Sequence, residues 1–375
     1  MGERATRYVV SGLGCRAWAT YLPLFGRGAR NAGRLVGVVD ADAARLDDLA
    51  RRWHEPVVAS TDVDEALAAT APDWLVVTTP DHVHAANIEA ALAAGVSVLT
   101  EKPMVLDTRQ AAAVIEAART SAAQLLVAHN MRYLNMHVAL KRLLLAGSIG
   151  SVTQASFAYH VRPAHGRSYF ERWHRRSEWS GGLQVTKSCH HFDLLNWWFD
   201  DVPAEAFAWT KRNHFLPAGA SGLPAPADAD IHDTISALIR YRGGATVSYL
   251  LSACSSWEGY ELRMEGTTGT LSATYEAAPV TGRAPAPTFV AEFAPHDGPI
   301  ERIELPRQPG NHSGADARMV AAIFRGETSN AENLRQAATA LDGGYAVAVG
   351  EAVSRSAAAG VPVAIPDLGA VAPLP

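Results

Sequence analysis

Residues 7–130 alternate short apolar runs with alanine-rich stretches, and that alternation restricts the fold more than any other feature of the chain. RYVVSG, RLVGVVD, DWLVVTT, VSVLT and QLLVAH are continuous runs rich in β-branched residues, of the kind that a parallel sheet buries on both faces. Between them the pattern predicts helices near 42–53, 62–70, 82–94 and 107–121, several preceded by Asp or Thr, whose side-chain oxygens satisfy free N–H groups of a first turn. Strand and helix in repeated succession make a doubly wound α/β domain. At 375 residues the chain is long for one core, and its texture changes after about residue 150. SVTQASFAYHV, TISALIRYR, ATVSYLLSA, YELRMEGTTG and TLSATYE read as antiparallel strands, some joined by glycine-containing turns. Segments 216–229 and 277–288 read as loops; helices near 313–325 and 331–357 and a VPVAIP strand close the chain.

The first run leads into Gly12-Leu13-Gly14-Cys15-Arg16-Ala17, a G-x-G-x-x-A sequence ahead of a helical stretch. Two glycines let the backbone turn tightly and approach a pyrophosphate, and the small third residue lets helix pack on strand. Glycine turns are common, so the context carries the reading: the second run ends in Asp40, where an acid binds both hydroxyls of an adenosine ribose. Gly12, Gly14, Arg16, Ala17 and Asp40 are thus candidate cofactor residues. Ala41 and Asp42 offer no cation for a 2′-phosphate, which favours NAD over NADP. The spacing from Gly12 to Asp40 is long, and RGARNAGR (27–34) reads as the extra loop. An ordinary glycine turn with a helix-capping Asp competes with this reading, and the strand–turn–helix–strand–acid order disfavours it. The expected organisation is a Rossmann domain over 1–130 and, over 131–375, an α/β domain on a large, mostly antiparallel open sheet, with C-terminal helices packing back on the first domain.

Bulk properties narrow the class of partner. With 48% of residues apolar and 19% charged, the balance is that of an ordinary globular protein. A net charge of −5 gives no general footing for nucleic acid or an anionic membrane, so neither is expected. Cys15, Cys189 and Cys254 are odd in number, far apart and outside metal-ligand spacing; they read as free thiols in a reducing compartment, with no metal expected. No apolar run reaches membrane-spanning length and the N-terminal run is short and broken by glycines, so the expected location is cytoplasmic.

Chemistry-bearing residues crowd one stretch. EWSGGLQVTKSCHHFDLLNWWF (178–199) puts Lys187, His190, His191 and Asp193 within seven residues, ahead of an apolar helix. Just upstream, HVRPAHGRSYFERWHRR (160–176) interleaves Arg162, Arg167, Arg172, Arg175 and Arg176 with His160, His165, Tyr169, Trp173 and His174. Guanidinium forks match carboxylate, phosphate or sulfonate oxygens, and an indole offers a face to a sugar ring. For any single arginine, a solvated basic loop with surface pairs to Glu171 and Glu178 is the simpler reading. For the set, contact with an anionic substrate is expected, with Arg167, Arg172, Trp173, His174 and Lys187 as candidates. His190 is the favoured base, since an imidazole titrates near neutrality. His191 and Asp193 orient it or serve the helix, Asp193 as a cap or structural carboxylate, and LLNWWF reads as core.

Thr79-Pro80-Asp81-His82-Val83-His84 follows DWLVVTT and Glu101-Lys102-Pro103 follows VSVLT, both at carboxyl ends of parallel strands, where open α/β sheets bind ligands. With TPDHVH paired to AALAAGVSVLTEKP, and AVGEAVSRSAAAGVPVAIP near the C-terminus, the chain resembles the Gfo/Idh/MocA family of nicotinamide-dependent sugar and polyol oxidoreductases over nearly its whole length. The resemblance implies that Lys102 lies beside the nicotinamide and the reacting hydroxyl. It implies too that Glu101, Thr79, Pro80 and His84 shape the dinucleotide site, with Asn130 and Arg132 at its edge. Independently, a lysine near cofactor and substrate can hydrogen-bond an alkoxide or relay a proton. The family also implies, after Gly181-Gly182, an aspartate and four residues later a histidine that orient and deprotonate the substrate hydroxyl. The histidine falls on His190, but the aspartate position holds Thr186, which cannot be an anion, beside Lys187.

Two enzymatic outcomes stay open. Hydride abstraction from a sugar carbinol, followed by product release, is plain dehydrogenation. Oxidation at C3, deprotonation at C2, aglycone elimination, water addition and hydride return give net glycoside hydrolysis. That route needs extra acid–base groups, for which Tyr169, His174, Lys187, His190 and His191 are candidates. HGxxYFxRWHR and KxxHHFDxxNWW are similar to patterns in NAD-dependent glycosidases acting on sulfonated sugars, the sulfoquinovosidases. With Thr186 and the cationic segment they tilt the expectation toward hydrolysis of an anionic hexoside such as a sulfoquinovoside; an NAD(H)-dependent sugar or polyol dehydrogenase is the alternative. A catalytically silent NAD-bound regulatory protein is the reading from a different class. A large sheet with one open face implies a homodimer or homotetramer.

Overall fold

The computed structural model describes residues 4–26, 33–326 and 334–370. Most of the insert RGARNAGR and the start of the 331–357 stretch therefore lie outside the described residues.

The apolar runs form a seven-stranded sheet, in spatial order Ala338–Thr339, Leu125–Val127, Ser97–Thr100, Trp74–Val77, Arg7–Ser11, Arg34–Val39 and Val58–Ser60. All neighbours run parallel except the first pair. Chain order reverses at Arg7–Ser11, the switch point where doubly wound sheets open a ligand crevice. Helices Ala43–Arg52, Val63–Thr70 and Thr108–Thr120 are capped by Asp42, Asp62 and Asp107, each accepting a backbone N–H of the first turn. Val9, Val10, Val38, Val76 and Val98 have no accessible surface, and burying each such side chain contributes about 1.5–3 kcal/mol. Behind the glycine turn the helix widens into a π-helical stretch, Ala17–Tyr21.

Two strands differ from expectation. Val58–Ser60 is an edge strand, too short and exposed to leave an apolar run. Ala338–Thr339 comes from the stretch expected to be helical from 331. Thr339 accepts the Asp342 N–H while Asp342 accepts the Thr339 N–H, and this reciprocal cap starts the helix Ala340–Ala359 at 340 instead.

The second sheet has nine strands, in the order Glu301–Pro306, Thr288–Pro295, Gly269–Ala278, Glu258–Gly266, Val152–His160, Thr246–Ser252, Thr234–Tyr241, Pro203–Lys211 and Val363–Ala364. Pairing is antiparallel except between Val152–His160 and Thr246–Ser252. Within the expected loop 216–229, Leu223–Ala225 makes a short parallel pair with Phe215–Pro217. One face carries an aromatic layer of Phe157, Tyr159, Tyr249 and Tyr260, on which the helix Cys189–Phe199 sits through His191 and Phe192. The other face is open: Trp209, Leu238 and Leu250 are 62%, 54% and 47% exposed, and register aligns Trp209, Ser236 and Leu250 in one row.

The helix Ala340–Ala359 packs on Thr108–Thr120 from the first layer and on Cys189–Phe199 and Pro203–Lys211 from the second, so one rod braces both sheets. Segment 160–176 is largely helical rather than an open loop, as Pro163–Glu171 and a 3₁₀ turn Trp173–Arg175. The histidine stretch is broken into Ser177–Ser180, Leu183–Thr186 and Cys189–Phe199, the first two separated by Gly181 and Gly182 at positive φ. Among the described residues no helix is long and apolar enough to cross a membrane.

Candidate active site

Gly12 ends the first strand with φ +90°, and a Cβ there would stand 2.6 Å from the Thr79 backbone nitrogen. The glycine turn therefore lies against the TPDHVH loop. Over Gly14 there is open space, the nearest atom to a built Cβ being Arg45 Nη1 at 3.8 Å. At the rim, Asp40 accepts the Leu13 N–H at 2.7 Å and the Asp42 N–H at 2.9 Å, which leaves lone pairs for vicinal hydroxyls. The Thr79 hydroxyl oxygen is buried without a partner. An open glycine turn, a rim carboxylate and an unpaired hydroxyl fit a dinucleotide. One cation does stand nearby, unlike the reading from Ala41 and Asp42: Arg45 lies 3.6 Å from Asp40 and 3.5 Å from Asp42 and is shared between the two acids.

Behind the turn, Arg16 is committed to protein. Its Nε donates to Glu101 at 2.6 Å and its terminal nitrogens to Asp316 at 2.9 and 3.2 Å. Tyr21 also donates to Glu101, at 2.6 Å, and Asn130 Nδ2 to Asp316 at 2.5 Å. Burial alone would raise both carboxyls; Arg16, joined by His312 at Asp316, outweighs it and holds them low. His84 sits between the carbonyls of Thr79 (3.0 Å) and Pro103 (2.7 Å), tying the two strand-end loops together. Glu101, Arg16, Asn130 and His84 thus support the cofactor cradle from beneath.

Lys102 reaches across the junction, its Nζ donating to the Thr186 carbonyl at 3.0 Å. The Thr186 hydroxyl donates in turn to Asp81 Oδ2 at 2.6 Å. A carboxylate from TPDHVH therefore stands behind the threonine that occupies the expected aspartate position. Burial pushes Asp81 up to about 7, against the opposing pull of Lys102 and the Thr186 hydroxyl. Sequence reasoning missed Asp81; its only signal was its place at a strand end.

His190 is buried with no hydrogen bond to Nδ1, and neither nitrogen of His129, with a ring centre 6.3 Å away, makes one, its Nδ1 lying 3.7 Å from Asp193. Burial first, then the charges of Lys102 and Lys187, hold His190 well below its usual range, as a neutral imidazole able to accept a hydrogen bond. His174 Nδ1 is likewise unpaired; its ring stacks on Trp173 at 3.7 Å and meets Tyr169 edge-on at 5.2 Å. Burial and then Lys102 bring His174 down to about 3, and burial takes the Tyr169 phenol up to about 12. Lys187 is buried 4.9 Å over the Tyr159 ring and forms no ion pair among the described residues. An unpaired buried polar group costs about 1–3 kcal/mol, and this concentration makes the junction a candidate ligand site.

Other candidates are placed elsewhere. His191, next to His190, turns into the aromatic layer: its ring stacks on Tyr159 at 4.0 Å and its Nδ1 pairs with the Tyr249 hydroxyl at 2.7 Å. Arg132, expected at the cofactor edge, is instead fully buried in a two-point pair with Asp193 at 2.7 and 2.9 Å, and lies 3.0 Å from Asp342. Asp193 is accordingly a structural carboxylate inside its helix, not a cap. In the basic segment, Arg167 faces Glu171 at 3.8 Å, Arg175 Asp228 at 2.9 Å and Arg176 Glu178 at 2.7 Å. Arg172 is exposed, forms no ion pair among the described residues, and its charge bears on His174.

A glycine-turn cofactor cradle, a strand-end lysine and a neutral histidine brought over it from an open-sheet domain define a dinucleotide-dependent oxidoreductase. The NAD-binding Rossmann fold of the Gfo/Idh/MocA oxidoreductases matches residues 6–129 and their C-terminal alpha/beta domain matches residues 141–365; the chain belongs to this family of NAD-dependent sugar and polyol oxidoreductases. The YteT protein of Bacillus subtilis (strain 168) is 30% identical, over 96% of this chain and 98% of its own. Inositol 2-dehydrogenase of Rhizobium meliloti (strain 1021) is 26% identical, over 87% of this chain and 89% of its own. The aldose-aldose oxidoreductase of Caulobacter crescentus, solved with glycerol, has the same fold at a TM-score of 0.70 and 20% identity, over 96% of this chain and 100% of that one.

Proposed function

We propose that the chain moves a hydride between NAD(H) and a carbinol carbon of a sugar or polyol, with Lys102 carrying the hydroxyl proton and His190 orienting the substrate. The observation that carries this reading is the Lys102–Thr186 bond, which fixes a strand-end lysine of the cofactor half beside the helices bearing His190. Bound NAD supplies the hydride acceptor. Gly12, Gly14, Asp40, Thr79 and Pro80 hold it, while Lys102 takes or returns the hydroxyl proton and His190 Nδ1 receives a substrate hydroxyl.

Redox-neutral glycoside hydrolysis on an anionic hexoside such as a sulfoquinovoside is a second reading, favoured by Lys187. A buried ammonium that forms no ion pair among the described residues, though its charge reaches Glu258, suits a sulfonate or carboxylate, and Tyr169 near it with His174 against the phenol ring supply groups for C2–H and the leaving oxygen. Incubation with NAD+, inositol, free hexoses and aryl glycosides of neutral, uronic and sulfonated sugars separates the readings. Aglycone release without net NADH supports hydrolysis; stoichiometric NADH with the glycosidic bond intact supports dehydrogenation. Intact NADH binding with no turnover across the panel would point to the regulatory class and defeat both. On the hydrolytic reading, Lys187→Met is expected to lower kcat/KM about 10- to 100-fold for anionic glycosides relative to neutral ones; equal losses would remove the anion role. The open sheet face with Trp209, Leu238 and Leu250 is expected to pair copies of the chain, and sedimentation showing only monomer at assay concentration would refute that.

A further inference from the structure

Asp81 begins the short turn Asp81–Val83 on the cofactor side, yet it is only 6% exposed and its Oδ2 receives the Thr186 hydroxyl from the other half of the molecule. The same Thr186 offers its carbonyl to the Lys102 ammonium. One residue thus holds a carboxylate through its hydroxyl and an amine through its backbone.

Structural aspartates in this protein are satisfied differently. Asp233 accepts the N–H groups of Asn213, His214 and Phe215 and the Thr234 hydroxyl, and Asp193 accepts two from Arg132. Asp81 receives the Thr186 hydroxyl and its own backbone N–H, and forms no ion pair among the described residues, so it is a buried carboxylate whose charge is only partly compensated. That condition is costly unless a nearby cation compensates, and Lys102 is the cation whose charge acts on it most.

We propose that Asp81 is a positioning residue for the reaction, the counter-ion that stabilises Lys102 in its protonated form and, through Thr186, aims it at the substrate hydroxyl. In the oxidative direction the substrate O–H bond breaks and its proton passes to Lys102 Nζ, where an N–H bond forms. The O–H electron pair becomes the carbonyl π bond as the hydride leaves carbon for nicotinamide. The ammonium so formed is joined to the Asp81 carboxylate through Thr186. This role rests on the hydride-transfer reading for the reaction it serves; the coupling of Asp81 to Lys102 does not. The titratable groups that act on the carboxyl are Lys102 and Glu101 from the adjacent strand end and Cys189 from the facing helix; on its own turn, His82 feels Glu178 and His84 bonds the carbonyls of Thr79 and Pro103.

The test is competitive labelling of the full-length chain with acetic anhydride, reading Lys102 by peptide mass spectrometry across the neutral range. Asp81→Asn keeps an oxygen for the Thr186 hydroxyl and removes the charge. Above neutrality its Lys102 is expected to label about tenfold faster than wild type, and the difference is expected to close as pH falls and the wild-type carboxyl takes up a proton. Thr186→Val is expected to shift Lys102 labelling in part, and Thr186→Ser to restore it. Where substrate turns over, Asp81→Asn is expected to lower kcat about 10- to 100-fold with KM little changed. A folded Asp81→Asn protein whose Lys102 labels like wild type at every pH would overturn the proposal. Absence of turnover in wild type would overturn the hydride-transfer reading alone, and labelling would still decide the coupling.

Discussion

Replacing Lys102 by methionine is expected to lower turnover about a thousandfold while NADH affinity changes by no more than about threefold. Methionine keeps the reach of the apolar stem and removes the ammonium. The only hydrogen bond that Lys102 makes among the described residues is to the Thr186 carbonyl, so the fold depends little on it, at about 0.5–1.5 kcal/mol. Steady-state kinetics on whichever substrate the panel reveals, with NADH titration beside them, checks the split. Parallel losses in NADH binding and turnover would make Lys102 a cofactor-binding residue instead. The titrating groups also assign the pH profile. Burial and the charges of Lys102 and Lys187 keep His190 neutral throughout the working range, so an acid limb near neutrality does not arise from its protonation. Asp81, pushed up to about 7, titrates there.

The same carboxyl burdens the fold. Its folded value lies above the unfolded one near 3.8, so its contribution to stability is fully present below that value and is lost as pH rises through about 7. A group that destabilises the protein where enzymes work is one that packing alone would not retain, which agrees with a task in the site.

The parallel strands were legible because strands buried on both faces leave unbroken apolar runs; Val58–Ser60, at an edge, left none. The place of the glycine turn was legible because backbone at Gly12 φ +90° favours glycine, and the strand-end places of Asp40 and the two motifs because each follows an apolar run. The gap at Thr186 was visible too, yet Asp81, which reaches it, lies 105 residues away in sequence, and no local pattern reports such a contact. Nor could adjacent histidines be separated without a helix frame. Consecutive helical residues point about 100° apart, which sends His191 into the aromatic layer while His190 faces His129. The basic segment misled in a further way. Arg167, Arg175 and Arg176 read as possible anion contacts, but each faces an acid; among the described residues Arg162, Arg172 and Lys187 form no ion pair, and Arg162 donates to the Thr281 hydroxyl.

Arg132→Met is expected to destabilise the protein by about 3–5 kcal/mol, because breaking a buried ion pair from one side leaves its partner charged and dry. Asp193 is inaccessible and depends on the two guanidinium bonds, and Asp342, which caps the bracing helix Ala340–Ala359, lies 3.0 Å from the same group. Burial would raise the Asp342 carboxyl and Arg132 outweighs it, so its folded value is lowered; that stability is present above the unfolded value and is lost as pH falls. Denaturant unfolding of the single variant, compared with Arg132→Met/Asp193→Leu, measures the effect. The double variant is expected to recover much of the loss, since an apolar pair of similar volume replaces a buried ion pair at little cost. NADH affinity of the folded fraction is expected to stay near wild type. If NADH binding fell sharply while stability held, Arg132 would belong to the dinucleotide site after all.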